Sequence, residues 1–364
     1  MPQHKTPQGS TRAPGNSRSK GPTKEQRQAR QLATQSLATS KSSSASAPAG
    51  TPQVDGSGTE SESTGVVPLP ANLADHQALL DLLAAAFHDE IYDQAFHTRL
   101  QHIKSLFFER KFLDIFSGEP ALLPTYSARY IPYRTLAYLD LIRDVPVLHK
   151  ALAAGGGPSE SPTVIAVGGG AGSELAAFGF HHLTGPPTSD DTVPSNLHLM
   201  TLDIGDFTPV LTRIHAALVS SSTSPASASP TLSHSFHLCD VLSPTWPPPD
   251  HLASLQSATL VTLMFTLNEL FAQGSKTGGL GFITKLTRSM RPGSLLLLAD
   301  SAGSFSDIVI GSRPYKITVL LDRLPGLKRV AGEDARWWRC DEKTIKYPVK
   351  VENMRFFWRV YEKV

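Results

Sequence analysis

Several short stretches of this chain place residues able to grip a small molecule, or move a proton, just after a run of apolar residues. The first is Gly168-Gly-Gly170-Ala-Gly172-Ser-Glu174, directly after Val164-Ile-Ala-Val. Glycine supplies positive φ for a tight turn and lets a ligand lie against the backbone, while the start of the next helix offers unpaired N–H groups. Such a turn suits a dinucleotide or S-adenosylmethionine, although an ordinary strand-to-helix turn reads the same way. The second is Asp203, in Leu199-Met-Thr-Leu-Asp203-Ile-Gly-Asp206. Its carboxylate can accept hydrogen bonds from both hydroxyls of a ribose. It stands further from the glycines than the usual ~20 residues, and an insertion at 184–196 accounts for the excess. Either Asp203 or Asp206 could instead cap the following helix. Third comes Cys239-Asp240-Val241, where the carboxylate could take the amino group of adenine and the adjacent amide its ring nitrogen, or where Asp240 simply forms a turn. Fourth is Met264-Phe265-Thr-Leu-Asn268-Glu269-Leu270, which sets an amide and a carboxylate beside the expected position of the reacting group.

The elements that must position these residues follow from the periodicity. From Thr163 onward strand-like and helix-like segments alternate, the signature of a parallel sheet covered by helices on both faces. Strands are expected near 163–167, 197–203, 235–239, 258–266 and 294–300, with helices near 172–183, 206–219, 250–256 and 277–290. Met290-Arg-Pro-Gly293 reads as a helix end and turn before a buried strand that closes on Asp300. In such sheets ligands lie beyond the carboxyl ends of the strands, which is where the four stretches fall. Met354 to Val364 alternates well enough to be a last strand, paired with one near 336–339 as an antiparallel hairpin at one edge. Upstream, Leu79, Leu80, Leu82, Leu83, Phe87, Leu100, Ile103, Leu106 and Phe107 recur at helical spacing. A segment from Tyr126 to Tyr138 sets Arg129, Tyr130, Tyr133 and Arg134 around a proline expected to start or kink a helix. Arginine with tyrosine serves a ligand or a nucleic acid by charge and stacking, or snorkels over a core.

Composition narrows the class. The first 65 residues are mostly Ser, Thr, Pro, Gly, Gln and Ala and are expected to be disordered. Residues 1–50 carry 8 Lys/Arg against Glu25 alone, a local net of +7 within a chain total of +2, which leaves about −5 for the remainder. A basic tail of this kind suits salt-sensitive attraction to nucleic acid or an address signal, or merely solubilises. The expected division is a tail at 1–65, a helical region at 66–155 packed on the catalytic domain, and a Rossmann-like domain at 156–364, with Gly155-Gly-Gly-Pro158 as the hinge. Ser220 to Pro230 reads as a surface loop. Two unpaired cysteines, Cys239 and Cys340, point to a reducing interior. No apolar stretch approaches the ~20 residues of a membrane span, so no membrane association is expected.

The ordered set resembles the class I S-adenosylmethionine-dependent methyltransferases. That resemblance implies a seven-stranded sheet with its last strand antiparallel. It assigns Gly168, Gly170, Gly172, Asp203, Asp240, Val241 and Phe265 to S-adenosylmethionine. A nicotinamide dinucleotide fits less well, since no glycine follows three residues after Gly170. One departure matters: the family commonly carries an acid two residues before the first glycine, and here Ala166 stands there. The ligand's amino group must then be met from Glu174 or from the Arg129 to Arg134 segment.

More closely, residues from about 75 to 364 resemble the fungal family of large-subunit (25S) rRNA uridine-N3 methyltransferases. The matching pieces are Ser127 to Tyr138, Gly168 to Glu174, Phe265 to Phe271 and Asp300-Ser-Ala-Gly303-Ser-Phe. The resemblance implies large-subunit rRNA or a pre-ribosome as partner. With the basic tail, that substrate class implies a nuclear or nucleolar location, with the cytoplasm as the alternative. Since nothing in the sequence argues for an oligomer, a monomer is expected. On this reading Glu269 helps remove the N3 proton and Asn268 hydrogen-bonds a uracil carbonyl. Arg129, Tyr130, Tyr133 and Arg134 hold the RNA, and Tyr130, Tyr133 or Phe265 stacks on an exposed base. Methyl transfer to a small molecule or a protein, and a catalytically inert assembly factor of the same fold, are the competing readings.

Overall fold

Strands β1 (Thr163–Val167), β2 (Asn196–Asp203), β4 (Leu260–Met264) and β5 (Leu295–Ser301) carry nearly unbroken apolar runs, which is what a strand covered on both faces requires. The alternation is visible residue by residue. Val164, Ala166, Leu199 and Leu297 face one core, and Ile165, Val167, Met200, Leu296 and Leu298 face the other. This is a computed structural model, and it describes residues 71–154, 161–185, 196–221, 230–273, 276–302, 307–310 and 313–364. The expected disordered tail, the Gly155 hinge, most of both insertions and the Gly303 end of the last matching motif lie outside the described residues.

With β3 (Thr231–Leu238), β8 (Leu327–Trp338) and β9 (Met354–Lys363), these strands form one seven-stranded sheet in the order β3-β2-β1-β4-β5-β9-β8. The first five are mutually parallel, and β9 runs antiparallel to both β5 and β8. The expected doubly covered α/β sheet with an antiparallel last strand is therefore present. The winding reverses between β1 and β4, and Val167 is in register with both Leu202 and Leu263, so three strands end level at that point.

Six helices precede the sheet: α1 (Ala71–Ala86), α2 (His88–Ile91), α3 (Phe96–Phe108), α4 (Phe112–Phe116), α5 (Leu122–Asp144) and α6 (Pro146–Ala154). They share the first core with α7 (Ser173–Thr184) and α8 (Thr208–Ser221). Leu79, Leu83 and Phe87 are fully buried there, each contributing about 1.5–3 kcal/mol by burial. From Val67 onward the chain forms a single compact unit. Asp140 of α5 pins two distant elements to itself, since its carboxylate meets His76 Nε2 at 2.7 Å and accepts from Trp338 Nε1 at 2.8 Å. The second core is covered by α9 (Pro249–Ser257) and α11 (Lys276–Ser289), with α10 (Leu267–Gln273) between β4 and α11. A small hairpin of β6 (Asp307–Ile310) and β7 (Arg313–Lys316), then α12 (Ile317–Leu321), completes the element order.

Four local expectations need correction. Of the two roles considered for Pro132, starting a helix is excluded, since α5 runs through it from 122 to 144. The carbonyl that proline leaves unbonded four residues back, that of Ala128, accepts instead from the Tyr347 hydroxyl at 3.5 Å. Strand β3 begins at Thr231 rather than near 235 because it is a sheet edge, and its alternating exposed Thr, Ser and His do not look like a buried strand. Strand β8 is twelve residues long rather than four, its pairing broken by irregularities near Val330 and near Asp334. Strand β4 ends at Met264, two residues short of expectation, because Phe265 takes φ +60° and turns the chain into α10.

Candidate active site

The carboxyl ends of β1, β2, β3 and β4 open into one cleft of about 760 Å³, a volume that takes in its open, solvent-facing mouth. Gly168 has φ +72°, and a Cβ on it would lie 2.3 Å from Thr266 Oγ1. Only glycine fits there. A Cβ on Gly170 would strike Phe207 at 2.3 Å and Asp203 Oδ2 at 2.6 Å, and the Gly170 amide donates to that same oxygen at 2.9 Å. Gly172 has another task. It sits at φ +100° at the start of α7, where a Cβ would meet Ile214 Cδ1 at 2.3 Å, so it serves helix packing and not the cleft wall.

Asp203 accepts from Gly170 on one oxygen and from the Gly205 amide, at 3.1 Å, on the other. The Ile204 amide also acts on this carboxylate, which still has acceptor capacity beyond its backbone donors where it lines the cleft. Burial pushes its pKa up to about 6 against the pull of these backbone donors. The helix-capping role belongs to Asp206, whose Oδ1 accepts the Thr208 amide at 3.1 Å. Asp240 does both things considered for it: it lines the cleft beside Val241, and its Oδ1 accepts the Leu242 amide at 2.8 Å.

On the β4 side, Phe265 is held at positive φ, where a non-glycine residue is strained. Its ring stacks on Tyr138 at 6.4 Å and 24° and contacts Phe356 at 6.1 Å. The Arg134 guanidinium carbon lies 5.1 Å from the centre of the same ring. Glu269 lines the cleft, and desolvation raises its pKa to about 8 although Arg134 opposes the shift. Asn268 is committed elsewhere, its amide nitrogen donating to Asp300 Oδ1 at 2.6 Å and its backbone amide to Oδ2 at 3.0 Å. Buried Asp300 thus fixes the start of α10 and with it the placement of Glu269.

The helical region closes the cleft with Phe116, Tyr126, Arg134 and Tyr138. The last three lie at multiples of four residues on α5 and share one face. Arg134 donates to the Tyr126 hydroxyl at 2.8 Å, yet its Nε is buried without a partner and it forms no ion pair among the described residues. The other α5 candidates do not reach the cleft wall. Arg129 donates to the Lys350 carbonyl at 3.2 Å and pairs with Glu352, Tyr130 packs on Phe107 and Tyr126, and Tyr133 is buried outside the lining.

Glu174, in the first turn of α7, projects a buried carboxyl into the cleft, and its Oε1 has no hydrogen-bond partner. Desolvation pushes its pKa up to about 8. A Cβ on Gly169 would lie 2.8 Å from the Ala166 Cβ and 3.4 Å from the Glu174 carboxyl carbon. Both residues crowd the same glycine, and the small Ala166 leaves room for the helix-borne acid. Phe116, Phe207 and Leu242 also line the cleft and carry no signal in the sequence that marks them for it.

Residues 83–362 match the model of a family described as putative SAM-dependent methyltransferases. A 25S rRNA (uridine(2843)-N(3))-methyltransferase of Saccharomyces cerevisiae is 30% identical over 317 residues, 79% of this chain and 85% of that protein. Among solved structures, the N-methyltransferase NodS of Bradyrhizobium japonicum WM9, in complex with S-adenosyl-l-homocysteine, aligns over 66% of this chain and 96% of its own at 13% identity and a TM-score of 0.35. A 16S rRNA (adenine(1408)-N(1))-methyltransferase from Catenulisporales acidiphilia aligns over 59% and 89% at 13% identity and a TM-score of 0.33. On the strength of the family match and the yeast relative, the chain belongs to the family of SAM-dependent methyltransferases.

Proposed function

We propose that this enzyme methylates N3 of a uridine in large-subunit rRNA, and that its cleft holds the methyl donor by both ends of the donor's amino-acid arm. The observation that carries the reading is electrostatic. Four carboxyls, Glu174, Asp203, Asp240 and Glu269, line one cleft with a single guanidinium, Arg134, and burial raises the pKa of Glu174, Asp203 and Glu269. Carboxyls that burial holds protonated ionise readily only beside a cation, so the cleft favours a ligand bearing positive charge over a pyrophosphate. S-Adenosylmethionine carries two cationic centres, an ammonium and a sulfonium, beside one carboxylate.

The residues fit that ligand. Glu174, with its orphaned Oε1, is placed to accept from the ammonium in the role left vacant by Ala166. Arg134, with its unpartnered Nε, is placed to donate to the carboxylate. Asp203 has lone pairs left for the ribose hydroxyls, and Asp240 and Val241 stand at the adenine end. When bound, the cofactor supplies a methyl group already activated as a sulfonium. What remains for the protein is alignment, exclusion of water and removal of the N3 proton. Glu269 is the group in position for the last of these. Its raised pKa makes it a better proton acceptor than an ordinary glutamate, and the charge of a bound sulfonium would draw that pKa back toward neutrality. Asn268, clamped on Asp300, positions Glu269 by holding the first turn of α10. Phe265 offers its ring as a face for the target base, which has to be unpaired because N3 lies in the pairing edge.

The substrate assignment rests on the yeast relative named above; a nuclear or nucleolar site of action follows from it. Among the described residues no helix is long and apolar enough to cross a membrane. The test is nucleoside mass spectrometry of large-subunit rRNA from cells with and without this gene. Loss of a 3-methyluridine, restored by the intact protein but not by Asp203→Ala, is the expected result. An unchanged rRNA profile would move the reading to a different methyl acceptor.

A further inference from the structure

Trp337 is 61% exposed, whereas Trp246, Trp338 and Trp358 are all buried below 8%. It stands near the end of β8, opposite Arg355 of β9 in the sheet register. Two arginines lie against its ring, Arg339 with its guanidinium carbon 5.7 Å from the ring centre and Arg355 at 5.6 Å. Both are exposed, and neither is ion-paired among the described residues. Two like charges gathered on one indole repel each other, and an anion set between them would relieve that repulsion.

The surroundings share the same sign. Arg336 is taken up by Glu333 and Asp144, but residues 337–355 hold Arg339, Lys343, Lys346, Lys350 and Arg355 against Asp341, Glu342 and Glu352, a net of +2 in a chain whose residues beyond position 50 total about −5. Glu352 is already neutralised by Arg129. The segment is also anchored to α5, by Arg129 at Lys350 and by Tyr347 at Ala128.

Topology puts this patch at the active-site end of the sheet. Ser301, at the carboxyl end of β5, pairs with Phe356, and Phe356 pairs with Arg336. Trp337 therefore stands three strand spacings from β4, roughly 14 Å across the sheet.

We propose that Trp337, Arg339 and Arg355 form a docking platform for a single-stranded segment of the RNA substrate flanking the target nucleotide. The indole stacks on one base and the two guanidiniums take the adjacent phosphates, a combination that suits unpaired RNA. The platform rests on the reading of the substrate as RNA. Because its only exposed tryptophan among the described residues is Trp337, the full-length protein carries its own reporter.

The experiment titrates the full-length protein with an unstructured single-stranded oligoribonucleotide at several salt concentrations, following tryptophan emission, with S-adenosylhomocysteine affinity as the control for folding. Saturable quenching is expected. Trp337→Ala and the pair Arg339→Ala with Arg355→Ala should each weaken RNA binding on the order of tenfold or more. The arginine pair should also lower the salt slope by about 1.4. Trp337→Phe should abolish the quenching yet keep affinity within about threefold, since a ring remains to stack on, and all variants should bind S-adenosylhomocysteine normally. Unchanged RNA affinity in the alanine variants would overturn the platform and assign this face to a protein partner. A wild-type protein that binds no RNA would instead overturn the substrate reading itself, and the platform with it.

Discussion

Acids and arginines of the same kinds lie at both ends of this molecule's charge spectrum. At the β8–β9 edge, Arg336 grips Glu333, and Arg359, 1% exposed, donates to Asp334 and to the Glu333 carbonyl. These bonds hold both acids below the usual carboxylate range. In the cleft, Glu174 and Glu269 lie near Arg134 without bonding to it, and burial pushes them up to about 8. Paired charges at the edge are spent on structure. A buried carboxyl without a partner keeps its proton until a cation completes it, and the cleft is where a ligand does so.

The strongest way to break that contrast is Glu269→Gln, which keeps the shape and removes the base. Turnover should fall on the order of 10²–10⁴-fold while S-adenosylhomocysteine affinity stays within about threefold, as single-turnover kinetics and calorimetry would show. Turnover close to wild type would mean that the raised pKa of Glu269 serves no chemistry.

A smaller effect should appear in stability. Glu174 and Glu269 have folded pKa values of about 8 against an ordinary 4.5, so between those values the native protein holds protons that the unfolded chain has released. Stability must therefore fall as pH rises through that window. Below about 6.5, histidines such as His181 and His234, depressed to about 4, act in the opposite sense. The clean window is thus pH 6.5 to 8. There the melting temperature of the ligand-free protein should decline, and the double variant Glu174→Gln with Glu269→Gln should flatten the decline. A flat wild-type profile would contradict the assigned pKa values.

The smallest effect belongs to the edge. Glu333→Ala breaks a half-exposed pair, costs about 1 kcal/mol or less by chemical denaturation, and leaves donor binding alone. A change in donor affinity would show that edge and cleft are not independent.

The same contrast explains what could be read from the residues alone. Strand-end residues such as Gly168, Asp203, Asp240 and Glu269 were legible because a parallel sheet delivers its carboxyl ends to one place whatever the loops do. The α5 wall was only half legible. Arg134 and Arg129 sit in one motif, but the helical repeat turns Arg134 into the cleft with Tyr126 and Tyr138 and sends Arg129 to Glu352. Asn268 carried the right chemistry beside Glu269, yet the buried Asp300 claims it. Strand β3 and most of β8 were obscured because edge strands expose polar side chains and lose the two-sided apolar signature. Phe116 and Phe207 reach the cleft only through packing that no local pattern encodes.

That the cleft's unpartnered carboxyls and guanidinium are reserved for the amino-acid arm of the methyl donor is tested most directly by calorimetry on wild type and Glu174→Gln. Two ligands are compared, S-adenosylhomocysteine and 5′-methylthioadenosine, which keeps the nucleoside but lacks the amino-acid arm. The variant should bind S-adenosylhomocysteine on the order of ten- to a hundredfold more weakly, as expected for loss of a charged hydrogen bond, and bind 5′-methylthioadenosine as wild type does. Equal weakening toward both ligands, or toward neither, would contradict the assignment of Glu174 to the ammonium.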